Sequence, residues 1–203
     1  MIEIRNLNKS FGEHKVLDNF SLTINDGELV IISGSSGAGK TTLLNIIGFL
    51  EPFDSGSVTV DGYELSKRKN QQEYLMNKVG FLFQNFALIE SKTVRQNLEI
   101  VKPDARSEYS IEKALDCVGL SDKIGNKIYT LSGGEQQRIA LARLFLKKCD
   151  IVLADEPTGS LDKHNAEIVL NLLKDLNRQG KTVIIVTHDE SIKASLGARI
   201  VNL

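Results

Sequence analysis

Apolar and polar positions change their spacing several times along the chain, and each change marks an element. Residues 1–6 and 20–24 alternate in the manner of half-buried strands, and Asn25-Asp26-Gly27 is a turn signal. Residues 29–32 are continuously apolar, as in a strand buried on both faces. A glycine-rich turn follows at once, and a helix-periodic segment opens at Gly39-Lys40. It ends around residues 48–50, because Pro52 and the Asp54-Ser55-Gly56 turn cannot continue it. A short strand at 57–60, a helix at 71–78 and a buried strand at 79–83 come next. From about residue 85 to 148 the pattern is helical, with segments at 94–101, 110–118 and 135–148 punctuated by Pro103, Gly119 and Gly125. A buried strand at 151–154, an amphipathic helix at 163–178 and a buried strand at 182–186 follow. A short helix at 190–195 and a strand at 198–203 close the chain. The pattern predicts a single domain of α/β class. Its core is formed by 1–84 and 150–203, with an antiparallel β subdomain beside it and a helical subdomain inserted at 85–149.

Composition narrows the classes of function. The chain has 203 residues, 41% hydrophobic and 25% charged, with a net charge of −1, enough to bury a core but without the basic stripe that nucleic acid demands. No nucleic-acid partner is expected, and Lys67-Arg68-Lys69 reads as a solvated helix face. Cys117 and Cys149 lack metal-type spacing and read as small core residues in a reducing compartment. The longest apolar runs, near 43–50 and 182–187, fall far short of the roughly 20 residues that cross a bilayer. The first five residues have strand rather than leader character. A cytosolic protein that works at a membrane surface fits this reading.

Candidate chemistry begins in the turn after residue 33. Gly34, Gly39, Lys40 and Thr41 fill every fixed position of G-x-x-x-x-G-K-[ST], in the strand–loop–helix setting this P-loop requires. Gly34, Gly37 and Gly39 allow backbone conformations that turn several N–H groups inward, and the helix start adds its positive end. Ser35, Ser36, Ala38 and Thr42 complete the phosphate cradle. Lys40 supplies a point charge for the β- and γ-phosphates, and the Thr41 hydroxyl a ligand for Mg²⁺. The chain is read as a nucleotide-binding protein.

Leu131-Ser132-Gly133-Gly134-Glu135-Gln136-Gln137-Arg138 is a second anion site by the same logic: a hydroxyl, free N–H groups and a helix N-terminus. A plain N-cap, with Ser132 and Glu135 as a capping box, accounts for the ends of this segment. It leaves Gly133 and Gly134 without purpose, since glycine weakens a helix. Two phosphate-binding helix starts in one chain suggest that two chains share each nucleotide.

With both segments in hand, the chain resembles the nucleotide-binding subunit of an ATP-binding cassette (ABC) transporter over essentially its whole length, on a P-loop NTPase (RecA-like) core. The resemblance implies a head-to-tail homodimer that closes on two ATP molecules, with Ser132, Gly133, Gly134 and Glu135 facing the nucleotide of the opposite subunit. Hydrolysis and phosphate release would reopen it. The strand at 151–154 matches the family's Mg²⁺-site strand. Asp155 is placed to hold Mg²⁺, directly or through water, and Glu156 to polarise the attacking water. Asp162, after Ser160-Leu161, stands at the loop that links the two sites. His188 matches the switch histidine, a neutral imidazole donating to the γ-phosphate, and Gln84 the glutamine that senses Mg²⁺ and water. Phe11 falls where an adenine-stacking aromatic is common, with Val16 as a second apolar contact; stacking leaves GTP open as well. His14 and His164 read as surface residues.

Residues 47–50, 54–56, 79–85 and 93–98 are similar to the lipoprotein-release, macrolide-export and cell-division ATPases. That implies an ATPase on the cytoplasmic side of the membrane, peripheral to a separate transmembrane permease. The cargo would be a peptide, lipoprotein, bacteriocin or drug. Residues 85–90 would dock the permease's cytoplasmic helix. Ile89-Glu90-Ser91-Lys92 departs from the proline-containing stretch common in that group. The last strand lies close to residue 203, and no C-terminal regulatory domain is expected on this reading. Two alternatives stay open: a soluble single-cassette ATPase of the iron–sulfur assembly type, and force transmission to an envelope enzyme without transport.

Overall fold

The computed structural model describes residues 1–189, 192 and 196–203, with Arg68 described by its backbone alone. In chain order the strands are β1 (Ile2–Phe11), β2 (His14–Ile24), β3 (Leu29–Ser33), β4 (Ser55–Val60), β5 (Tyr63–Glu64), β6 (Val79–Leu82), β7 (Ile151–Asp155), β8 (Thr182–Val186) and β9 (Arg199–Asn202). The helices are α1 (Lys40–Ile47), α2 (Gln71–Asn77), α3 (Val94–Leu98), α4 (Ile111–Cys117), α5 (Gly133–Leu146) and α6 (Lys163–Arg178). The short helix expected over 190–195 lies outside the described residues apart from Ile192.

Two sheets result. β3, β6, β7, β8 and β9 pair in parallel in the order β6-β7-β8-β3-β9, while β2-β1-β4-β5 form an antiparallel sheet. The period of two along each parallel strand explains the continuous apolar runs. Val30 and Ile32, Ile151 and Leu153, and Ile184 and Val186 join α1 and the antiparallel sheet in one core. Ile31, Val152, Ala154, Val183 and Ile185 point the other way, into a core shared with α3 to α6. A strand covered on both faces has no polar alternation to show.

The sequence pattern undercounted the first hairpin. β1 runs on to Phe11 and β2 starts at His14, whereas alternation suggested strands only over 1–6 and 20–24. Asn6 and Asn19 adopt left-handed backbone, with φ of 48° and 50°, and the β1–β2 register shifts repeatedly beyond Ile4. Each bulge resets the apolar phase, so a period-two reading stops at the first one. α5 begins at Gly133, two residues before the pattern suggested, and ends at Leu146, because Lys147 is extended. The helix expected over 94–101 is the single short turn α3. Cys149 is buried in the core, while Cys117 is only half-buried.

α1 is anchored at its far end by a buried phenol. Tyr74 of α2 is fully buried, and its hydroxyl donates to the Ile47 carbonyl at 2.7 Å. That carbonyl is one of the last four of α1, which have no partner inside the helix. Burial pushes the Tyr74 phenol well above its ordinary pKa. The Tyr74→Phe variant should lose about 1–3 kcal/mol, since it strands a buried acceptor. Urea unfolding should show a lower midpoint with an unchanged m-value.

Candidate functional site

The carboxyl ends of β3, β6, β7 and β8 lie along one edge of the parallel sheet, where open α/β sheets bind ligands. After β3 the chain turns through residues 34–39 and enters α1 directly. Gly39 caps the helix with φ of 93°, and Gly37 has φ of 82°. Gly39 also passes so close to β2 that a Cβ there would stand 2.5 Å from Val16 Cγ1. Glycine therefore both shapes the loop and seats Val16 against it. The buried Lys40 ammonium donates to the carbonyls of Gly34 at 2.9 Å and Ser35 at 2.8 Å, which leaves one of its three protons for a ligand. The Ala38 N–H closes the turn onto the Ser35 carbonyl at 3.2 Å.

A cavity of about 660 Å³ opens over this loop, within the usual size of a small-molecule site. Phe11, Val16, Ser36, Gly37, Gly39, Lys40, Thr41, Thr42, Gln84, Glu156 and His188 line it. Five segments far apart in sequence therefore meet there. His14 lines it as well. It is exposed as expected, but it was not expected in the site. The clue was its place two residues before Val16, on the same side of β2. Phe11 is half exposed, with the Lys9 ammonium 4.6 Å from its ring centroid. Lys9 itself is buried and paired with Glu51 at 2.6 Å.

Beside the loop, the Thr41 hydroxyl donates to Asp155 Oδ1 at 3.1 Å. Burial raises the Asp155 carboxyl above its ordinary pKa, and the Glu156 charge adds to this against the pull of Thr41 and Lys40. Asp155 and Gln84 also line a smaller adjoining cavity with Asn85 and Ser160. A hydroxyl, an amide and one carboxylate are hard oxygen donors of the kind Mg²⁺ takes when phosphate and water supply its remaining ligands. A half-buried carboxylate raised by desolvation is the partner such an ion would relieve.

Glu156 follows β7 in left-handed backbone, φ 42°, and its N–H donates to the Val186 carbonyl at 2.9 Å. A non-glycine residue held there stores strain of about 1–3 kcal/mol. Its carboxylate is held from three sides. Thr187 Oγ donates to Oε2 at 3.0 Å, the His188 N–H to Oε1 at 3.2 Å, and His188 Nδ1 stands 2.7 Å from Oε1. Thr187 is a second participant that sequence reading missed. If the His188 ring carries its proton on Nδ1, that contact is a donation to Glu156 and a neutral ring has an acceptor at Nε2.

The remaining expected residues stand outside the cavity. Ser132 caps α5, its Oγ accepting from the Glu135 N–H at 3.3 Å while Glu135 Oε2 accepts from the Ser132 N–H at 2.8 Å. That bond from the Ser132 backbone holds the Glu135 carboxyl below its ordinary pKa. Asp162 caps α6 in the same way, accepting from the Asn165 N–H at 2.9 Å and its side-chain amide at 2.6 Å, which lowers its pKa. The capping box is therefore real, and it explains Glu135 within the chain. Gly134 is also explained, since a Cβ there would stand 2.4 Å from the Asn165 side chain. Gly133 is not, because a Cβ there would meet only Phe86 Cζ at 3.9 Å.

Behind the edge lies a second concave site, an apolar cleft of about 660 Å³ between α2, β6 and α5. Leu75, Met76, Phe81, Phe83, Ala87, Ile100, Val101 and Leu144 line it together with Arg143 and Lys147.

A P-loop on the edge of a parallel sheet, a clamped acidic residue facing it, and an exposed glycine helix start define a cassette-type nucleotide-binding ATPase. The chain belongs to the ABC transporter family, whose sequence model matches residues 17–159. It is 42% identical over 206 residues to the macrolide export ATP-binding/permease protein MacB of Aggregatibacter actinomycetemcomitans, covering 96% of this chain and 32% of MacB. The chain thus spans about a third of the length of the macrolide-export relatives. It is also 42% identical over 200 residues to the lipoprotein-releasing system ATP-binding protein LolD of Bacteroides fragilis, covering 95% of this chain and 93% of LolD. The dimeric post-hydrolysis structure of the ATP-binding cassette MJ0796 bound to ADP and Pi superposes with a TM-score of 0.85 at 38% identity. The match covers 100% of this chain and 94% of that one.

Gly133 and Gly134 differ in how closely the chain packs against them. Gly134→Ala should destabilise the fold by about 1–3 kcal/mol through overpacking against Asn165. Gly133→Ala should leave stability unchanged or raise it by up to about 1 kcal/mol. Denaturant unfolding of both variants checks this.

Proposed function

We propose that the chain is the Mg²⁺-dependent, ATP-hydrolysing component of an export or release system, coupled to a permease carried on a separate chain. Its cargo is a peptide, lipoprotein, bacteriocin or drug. It works as an ATP-dependent head-to-tail homodimer, peripheral on the cytoplasmic side of the membrane. The observation that carries this reading is the division of the phosphate chemistry: the P-loop cavity has no lining residue from 131–138, and Gly133 has no packing reason within its own chain. A second copy placing Ser132–Gly134 over the nucleotide supplies the missing wall. The LolD relatives, matched over nearly their full length, support a permease on its own chain. Among the described residues no helix is long and apolar enough to cross a membrane. The apolar cleft beside Gln84 suits an amphipathic cytoplasmic helix of that permease.

In the proposed mechanism the loop N–H groups and Lys40 bind the phosphates, and Phe11 stacks on the base with Val16 beneath it. Thr41, Asp155 and Gln84 would hold Mg²⁺, which supplies charge neutralisation at the phosphate oxygens when bound. Glu156 orients and deprotonates the attacking water. Thr187 and His188 fix the Glu156 carboxylate so that little reorganisation is needed during the reaction. Asp162 sets the start of α6 at the dimer face. Closure is a population shift driven by contacts that ATP makes only in the dimer.

Glu156→Gln should bind ATP and dimerise while turnover falls by about 10²-fold or more. Near wild-type turnover in steady-state assays would remove Glu156 from this role. Chelation of Mg²⁺ by EDTA should abolish hydrolysis, with recovery on adding Mg²⁺ back. ATP-trapped Glu156→Gln, used to capture partners from detergent-solubilised native membranes, should recover a polytopic membrane protein. Recovery of soluble partners alone would point to the assembly-type ATPase instead.

A further inference from the structure

Beyond Gln84 the chain reverses through two consecutive L-residues in the left-handed region, Phe86 with φ of 61° and Ala87 with φ of 48°. The bonds made by their own N–H groups are local: Phe86 to the Phe83 carbonyl at 3.1 Å, and Ala87 to Asn85 at 2.6 Å. Besides the packing of Phe86 against the helical core, one side chain of α5 binds this turn by two hydrogen bonds. The Arg143 guanidinium donates through Nη1 to the Ala87 carbonyl at 2.6 Å and through Nη2 to the Phe86 carbonyl at 3.0 Å. Arg143 belongs to α5, the helix that starts at the Ser132 cap. Its pKa is lowered by burial alone, and among the described residues no carboxylate pairs with it. A half-buried cation is thus committed to two neighbouring backbone carbonyls, one held by each end of its planar guanidinium fork.

We infer that Arg143 is a positioning residue: it clamps the strained 85–87 turn onto α5, and through that turn fixes Gln84 in the nucleotide site. Phe83, Ala87 and Arg143 all line the apolar cleft. An occupant of the cleft therefore touches the clamp itself, and its displacement reaches Gln84 and the α5 start together. The inference rests on the proposed ATPase for its kinetic consequence and on the geometry alone for its structural one.

The test uses the full chain as Arg143→Gln, Arg143→Lys, Gln84→Ala and the Gln84→Ala/Arg143→Gln double variant. In Arg143→Gln, amide hydrogen exchange over 85–89 should accelerate about tenfold or more, while β3, β7 and the P-loop stay protected. The kcat for ATP should fall about tenfold with KM within about twofold, and Arg143→Lys should lie between. In the Gln84→Ala background, adding Arg143→Gln should cost no further kcat, because the residue it positions is gone. Unchanged exchange over 85–89 in folded Arg143→Gln overturns the clamp. A full additional kcat loss in the double variant overturns the action through Gln84. Should Arg143→Gln fail to fold, Arg143→Lys is read by the same exchange and kinetic criteria. A wild-type chain without ATPase activity would defeat the proposed function, yet the exchange measurement would still decide the clamp.

Discussion

Burying both faces of a five-stranded parallel sheet is the constraint on which the rest of this molecule depends. Alternate residues of β3, β7 and β8 enter two different cores, one closed by α1 and the antiparallel sheet and the other by the helices from α3 to α6. Parallel pairing then sends every crossover out at the same edge, so the loops after β3, β6, β7 and β8 collect there. Chemistry that needs backbone N–H groups, a lysine, two carboxylates, a glutamine and a histidine is assembled by topology rather than by sequence proximity.

α5 is the element through which this edge is connected to the rest of the fold. At its start, Gly134 makes room for Asn165, which is held by the Asp162 cap of α6. One turn on, the buried Gln137 side chain donates to the Pro157 carbonyl at 2.7 Å, just after Glu156. Further along, Arg143 holds the turn beyond Gln84, and past its end the Lys147 ammonium donates to the carbonyls of Leu75 at 2.9 Å and Met76 at 2.8 Å. Most of these ties end on backbone carbonyls, which stay in place whatever side chains surround them. A displacement of α5 is therefore felt at the loops after β6 and β7 and at the start of α6. This is a continuous network of packed and hydrogen-bonded groups of the kind that can carry coupling between sites.

Part of the chain's left-handed backbone lies at the same edge. Phe86, Ala87 and Glu156 all hold left-handed backbone without being glycine. Each is over-determined by its neighbours: the first two by Arg143, the third by the Val186 carbonyl and by Thr187 and His188. Rigid support of the strained residue keeps the Glu156 carboxylate in one orientation, as its proposed role requires.

Local physics made much of this readable from sequence. Continuous apolar runs marked the parallel strands, glycine spacing marked the P-loop, and the Ser132–Glu135 capping box marked the start of α5. These signals depend on neighbouring residues only, so one dimension suffices for them. The β1–β2 hairpin was underestimated because its bulges at Asn6 and Asn19 reset the alternation that marks a strand. Thr187 was missed because it carries no local pattern, and His14 because its one clue, the shared side of β2 with Val16, gains meaning only from what stands across the cavity. Tertiary structure alone decided that Gly134 serves packing while Gly133 does not, and that the His188 ring meets Glu156. It alone showed Arg143 closing on two carbonyls more than fifty residues upstream. The physical reason is common to all of these. Contacts between segments are set by how the sheet's two cores close, and a linear pattern of apolar and polar residues contains no term for that distance.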